Sequence, residues 1–172
     1  MKRAEHSFEI IILDTDLASA FAKVNAITLL VELLHEGYEI YITPRIYEEL
    51  QVPLSYGYDF PKIIFEHVPV LNLKKGEQEE YRSLIREFPR VGRGELEAIA
   101  VCKHRRGIFA SLDRKALDIA KANGVPVLVL GAILLEFLKR GLYSKEELEV
   151  LIREINEKDN RDIRMEDLRL ES

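Results

Sequence analysis

The sequence has one cysteine, no tryptophan, six prolines and nine glycines in 172 residues. A lone Cys102 excludes an internal disulfide and a multi-thiolate zinc centre, which fits a reducing compartment. No Walker-type glycine loop occurs, which disfavours an ATPase. No apolar run reaches the roughly 18 to 20 residues needed to span a bilayer. The longest, Val125 to Leu135, is interrupted by a proline and a glycine. At the amino end the run IIIL is short, ends in Asp14 and precedes no small-residue cleavage site, so nothing directs export. A cytoplasmic protein with no membrane partner is expected. His6, His35, His67 and His104 have no metal-ligand spacing and neighbour no candidate nucleophile, so a Ser/His/Asp hydrolase is not supported.

What is present is an ordinary globular composition. With 47% hydrophobic and 32% charged residues the chain can bury a core, and its length suits one domain over 1–172. The net charge of −5, from 25 basic and 30 acidic side chains, argues against bulk attraction to nucleic acid. It leaves room for local basic patches around an acidic, cation-requiring centre.

Strand-like runs alternate with helical patterns. Strands are expected at Phe8 to Leu13, Tyr38 to Ile42, Ile108 to Ser111 and Pro126 to Leu130, with an edge strand at Val68 to Leu73. Helical periodicity covers Leu17 to His35, a helix opening at Pro44 behind Thr43, Gly76 to Phe88, Gly94 to Arg105, Arg114 to Asn123, Ala132 to Arg140 and Ser144 to Glu157. Ser144 and Glu147 form a capping box for the last of these. Val52 to Pro61, rich in proline and aromatics, reads as a loop. Such alternation predicts an α/β/α three-layer sandwich around a central, mainly parallel sheet, with function gathered beyond the carboxyl ends of the strands.

Two acids stand at such strand ends, Asp14 in IIILDTD and Asp113 after IFAS. Two more come from helices. Helical-wheel geometry sets Glu49 at the border of the inner face of the Pro44 helix and Glu48 in water. In GRGELEAIAVCK it turns Glu95 inward and Glu97 to the opposite side. Four converging carboxylates must take up protons or hold cations, and an all-oxygen set suits Mg²⁺ or Mn²⁺. The bland alternatives are an Asp that caps the next helix and a Glu solvated at a helix border.

IIILDTDLASAF, ITPRIYEEL, GRGELEAIAVC and FASLDRKALDIA, in this order and spacing, resemble the PIN-domain nucleases, including the VapC-type toxin ribonucleases. The resemblance covers about residues 8 to 140, and the helical segment from about 142 to 172 extends beyond it. Position by position it implies that Asp14, Glu49, Glu95 and Asp113 are the four catalytic acids. Asp14, Glu95 and Asp113 would hold the metal, with Thr15 and Ser111 as supporting hydroxyls. The third acid is Glu where the family more often has Asp. The implied activity is Mg²⁺- or Mn²⁺-dependent hydrolysis of single-stranded RNA by a homodimer, with an antitoxin-type protein as a candidate partner.

Arg90, Arg93, Arg114 and Lys115 are candidates to grip RNA phosphates, as are Lys103, Arg105 and Arg106 at the far end of the Glu95 helix. Tyr56, Tyr58 and Phe60 could stack on bases or form dimer contacts. Two rivals remain. IIILDTD also resembles haloacid-dehalogenase-like phosphatases, with Asp14 as nucleophile, Asp16 as acid/base, Thr43 on phosphate, and Asp113 and Asp118 on magnesium. A PIN-like fold could also serve as a protein- or RNA-binding module, with its last helix and acidic tail as the docking surface.

Overall fold

The apolar stretch ending at Asp14 is the middle of the sheet. In the computed structural model, which describes residues 10–170, Ile11, Ile12 and Leu13 are at most 1% exposed, as expected of a strand covered on both faces. His6 and the start of the expected Phe8 to Leu13 strand lie outside the described residues. Strands β1 (Ile10–Leu13), β2 (Glu39–Tyr41), β3 (Ile108–Ala110) and β4 (Val127–Leu128) form one parallel sheet in the order β2-β1-β3-β4.

That order decides where the helices go. The chain leaves β1 through α1 (Thr15–Lys23) and α2 (Ile27–His35), pairs β2 on one side, and then crosses to β3 on the other. The second crossing carries α3 (Pro44–Ser55), α4 (Phe60–His67), α5 (Lys75–Glu87) and α6 (Arg93–Arg105). Helix α7 (Arg114–Ala122) links β3 to β4, and α8 (Leu130–Lys139) and α9 (Lys145–Lys158) follow. Right-handed crossovers put α1 and α2 on one face and α6 and α7 on the other, giving the three-layer sandwich. Helix α8 returns to the α1 face, where Phe21 and Phe137 meet at 6.4 Å between ring centroids. The reversal between β1 and β3 is the topological switch point, where open parallel sheets leave a crevice.

Several local expectations are corrected. The Leu17 to His35 pattern is two helices, because Asn25 takes a left-handed φ of 57° between them. The expected loop Val52 to Pro61 is largely helical: α3 runs on to Ser55 with Pro53 inside it, and α4 starts at Phe60. Val68 to Leu73 forms no strand, only an isolated parallel bridge between Val70 and Ile42. The last strand shrinks to Val127–Leu128 because α8 already begins at Leu130.

Beyond α9 the chain folds back over the sheet's carboxyl edge. The Asn156 side chain donates to the Ile163 carbonyl and accepts from the Ile163 amide, both at 2.8 Å. Asp159 receives Lys23 Nζ at 2.5 Å, tying the segment to α1. A 3-10 turn, Met165–Leu168, lies so close to α8 that a Cβ at Gly131 would stand 2.5 Å from the Leu168 carbonyl oxygen. No helix among the described residues is long and apolar enough to cross a membrane.

Candidate functional site

Asp14 caps α1 from the end of β1 and is 1% exposed. Its carboxylate accepts from the Thr15 amide at 2.8 Å and from Ser111 Oγ at 2.7 Å. Ser111 Oγ in turn accepts from the Asp113 amide at 3.0 Å, so one hydroxyl joins the ends of β1 and β3. Asp113 caps α7, accepting from the Ala116 amide at 2.9 Å. Both aspartates are therefore helix caps, as the bland reading had it. Their place at the switch point brings them together as well.

Glu49 reaches the same edge from α3, which packs between α1 and α6. Its Oε2 accepts from Thr15 Oγ1 at 2.6 Å and its Oε1 from the Gly94 amide at 3.2 Å. A negative group at the N-terminus of α6 is favoured by that helix's dipole. Gly94 is needed for this approach, since a Cβ there would lie 2.7 Å from Glu49 Oε2. Glu48 is exposed and pairs with Arg45, as the helical wheel indicated.

Glu95 stands in the first turn of α6, half-buried. Burial, then the negative charges of Asp14, Asp113 and Asp16, push its pKa up to about 8, against a smaller opposing effect of the Gly92 amide. For Asp14, burial raises the pKa to about 7; the Ser111 and Thr15 hydrogen bonds pull it down, and the charges of Asp16 and Glu49 raise it again. Asp14, Asp16, Glu95 and Asp113 thus lie within one electrostatic neighbourhood. In the sequence Asp16 figures only in the phosphatase alternative, although the DTD spacing is a signal for it.

Glu97 corrects the helical wheel. It is buried, 7% exposed, and its Oε1 accepts from the Arg45 amide at 2.8 Å. It caps α3, whose own N-cap residue, Thr43, makes no side-chain cap. The wheel failed because the middle of α6 has no solvent side: every residue from Leu96 to Cys102 is buried. Thr43 is fully buried, so it is not available to a phosphate ester, and the phosphatase reading loses that ligand.

Arg90, Arg93, Arg114 and Lys115 are all exposed, with Arg93 opening α6 and Arg114 opening α7. The far end of α6 is structural instead. Lys103 pairs with Glu80, and Arg105 holds the buried Glu77 and the Asn72 carbonyl. Tyr56 and Tyr58 are exposed at the α3–α4 corner, while Phe60 lies under Lys23 Nζ at 5.0 Å. That corner lines a cavity of about 600 Å³ that shares no residue with the acidic edge.

The carboxylate-only donor set suits a hard divalent cation, and two acids with raised pKa values lack the positive charge that would stabilise their ionised forms. As placed, no three His, Cys, Asp or Glu side chains among the described residues stand close enough to enclose an ion. Asp14, Glu49 and Asp113 instead spend oxygens on neighbouring donors.

Comparison with known proteins decides the family. The sequence model of the PIN domain matches residues 10–167. The chain belongs to the PIN-domain family. No curated protein matches it. Among solved structures, this PIN domain is similar to VapBC2 from Rickettsia felis, bound to a DNA fragment from its promoter. The identity is 16%, the TM-score 0.57, and the match covers 70% of this chain and 98% of the other. It is also similar to VapBC-1 from nontypeable Haemophilus influenzae, at 14% identity and a TM-score of 0.55, covering 70% and 97%. At such identities the likeness shows the fold. The match to the family model reaches into the carboxyl-terminal segment, beyond the residue 140 at which the sequence motifs end.

Proposed function

We propose that this PIN domain is an endoribonuclease that hydrolyses phosphodiester bonds of single-stranded RNA with Mg²⁺ or Mn²⁺ as cofactor. One observation carries the reading: Asp14, Glu95 and Asp113, from three separate elements, share the switch point of a parallel sheet, and the pKa values of the first two are raised to about 7 and 8. VapC-type PIN proteins are typically nucleases, which supports the same class of chemistry.

On this reading Asp14, Glu95 and Asp113 would hold the cation, and the chemistry it would supply is activation of water and compensation of charge on the scissile phosphate. Ser111 fixes Asp14 by hydrogen bond and orders the turn into Asp113. Thr15 and the α6 N-terminus hold Glu49, which orients the attacking water from the rim of the site. Arg93, Arg114 and Lys115, exposed beside Glu95 and Asp113, and Arg90 before α6, draw the RNA backbone toward an otherwise acidic edge. The protein works in the cytoplasm as a homodimer and as the toxin of a toxin–antitoxin pair, a role supported by its likeness to the VapBC structures.

The test is cleavage of a labelled single-stranded RNA with Mn²⁺ by the parent and by Asp14→Asn. Cleavage by the parent that falls at least about 100-fold in the variant is expected. RNA binding without cleavage would favour the binding module, and hydrolysis of a small phosphomonoester would favour the phosphatase.

A further inference from the structure

A cavity beside the acidic edge is walled on one side by the carboxyl-terminal segment and on the other by α7 and the start of α8. It encloses about 680 Å³ and begins at Ser111, the residue that joins Asp14 to Asp113. Its lining carries five cations, Arg114, Lys121, Arg161, Arg164 and Arg169, against two aspartates, in a chain whose net charge is −5. Three of the five come from residues 161–169 of the tail that reads as acidic in the sequence, where Asp162, Glu166 and Asp167 are interleaved with the arginines.

The segment is anchored rather than draped. Asp159 binds Lys23 of α1 and Arg161 together, Asn156 clips Ile163, and Leu168 seats on Gly131. Arg161 is thereby fixed with its Nη2 3.5 Å from Asp16 Oδ2, at the rim of the acidic site. Arg164 is held only by Asp162, at 3.8 Å, with its side chain 63% exposed. Arg114, Lys121 and Arg169 form no ion pair among the described residues. Arg161 is thus the fixed post of the wall, and the remaining cations face the cavity with little to neutralise them.

We propose that the cations lining this cavity, Arg164 and Arg169 of the carboxyl-terminal segment together with Arg114 and Lys121 of α7, form a wall that binds the phosphate backbone of single-stranded nucleic acid flanking the bond to be cleaved, guiding it past Ser111 into the carboxylate site. The inference rests on the nuclease reading and adds a binding site to it. The apolar floor of the cavity, with Leu112, Leu130 and Ile163, leaves room for the sugar and base side of the strand.

The experiment uses the full chain, a fluorescein-labelled oligouridine RNA and EDTA, with anisotropy read over a salt series. Arg164→Gln with Arg169→Gln is expected to weaken binding about 5- to 10-fold near 0.1 M salt and to lower the slope of log affinity against log salt by about 1.4, roughly 0.7 per lost phosphate contact. Arg82→Gln with Arg86→Gln, two exposed arginines of α5, is the charge-matched control and should leave the slope unchanged. Thermal melting checks folding, and Arg164→Gln alone, at an exposed side chain, gives half the slope change if the pair melts early. An unchanged slope, an equal loss in the control pair, no RNA binding by the parent, or loss of a protein partner with RNA binding intact would each overturn the wall. Parent cleavage abolished by Asp14→Asn, alongside an unchanged salt slope, would sink the wall and leave the nuclease reading standing. Absence of cleavage with the slope change intact would do the reverse.

Discussion

Two glutamate and aspartate side chains of this protein are almost equally hidden, yet they are treated in opposite ways. Glu77, 2% exposed, lies under Arg105, whose Nε and Nη2 donate to its two oxygens at 2.6 and 2.8 Å, while the Lys74 amide donates at 2.7 Å. Burial would raise its pKa, but the Arg105 and Lys74 hydrogen bonds and charges outweigh it and hold Glu77 below the usual carboxylate range. Asp14, 1% exposed, receives a hydroxyl and an amide but no cation, and its neighbours Asp16 and Glu49 add negative charge. Where a carboxylate only ties α5 to α6, the fold supplies an arginine. At the switch point it brings further acids instead, a costly arrangement that an incoming cation would relieve.

The comparison can be broken from either side. Arg105→Ala should leave Glu77 covered and uncompensated, destabilising the protein by about 2 to 3 kcal/mol in urea unfolding, discounted from the about 3 to 5 kcal/mol of a fully buried pair because Arg105 is partly solvated. Asp14→Asn should do the opposite in metal-free buffer at pH 8, raising stability by about 1 to 2 kcal/mol because it removes an ionised group from a buried, acidic site. A loss in the Asp14 variant comparable to that of Arg105→Ala would put the two carboxylates in the same class.

Gly94→Ala sharpens the same contrast through Glu49. The added methyl would meet the Glu49 carboxylate, so the Thr15 and Gly94 hydrogen bonds should be lost. A cost of about 1 to 2 kcal/mol is expected, together with reduced RNA cleavage; unchanged activity would remove Glu49 from the machinery.

The pH dependence follows with its sign. Asp14 and Glu95 have folded pKa values of about 7 and 8, above the ordinary 3.8 and 4.5, so the folded protein binds more protons than the unfolded chain between those limits. The stability these groups lend is complete below about pH 4 and is lost as pH rises through 7 and 8. The metal-free melting temperature should therefore fall from pH 5 to 8.5, and less steeply in Asp14→Asn. A flat profile would contradict the raised values. The smallest effect is Ser144→Ala, about 1 kcal/mol from loss of the α9 capping box, with no change in RNA cleavage.

The sheet and the placement of the four acids near its carboxyl edge were legible because their signals are local. An apolar run ending in Asp reads as a buried strand with a functional end, and a wheel places Glu49 against Glu48 when one side of a helix meets water. The same wheel failed at Glu97 because α6 is enclosed on all sides from Leu96 to Cys102, a fact of packing that the sequence of one helix does not carry. Pro53 misled in the same way: α3 continues through it, and Tyr56, expected in a loop, is its C-cap. The carboxyl-terminal tail reads only as acidic in the sequence, because Arg161, Arg164 and Arg169 are interleaved with Asp159, Asp162, Glu166 and Asp167 and obey no helical or strand period. Their convergence comes from Asp159, Asn156 and Gly131 fixing the path of the chain.

The central claim is that the switch-point carboxylates are made to hold a divalent cation. Calorimetric titration of the metal-free protein with Mn²⁺ at pH 7, in buffers of different ionisation enthalpy, tests it most directly. Saturable binding with release of protons from the acids of raised pKa is expected, abolished in Asp14→Asn and preserved in Arg164→Gln. Binding that is absent from the parent, or equally strong in the Asp14 variant, would contradict it.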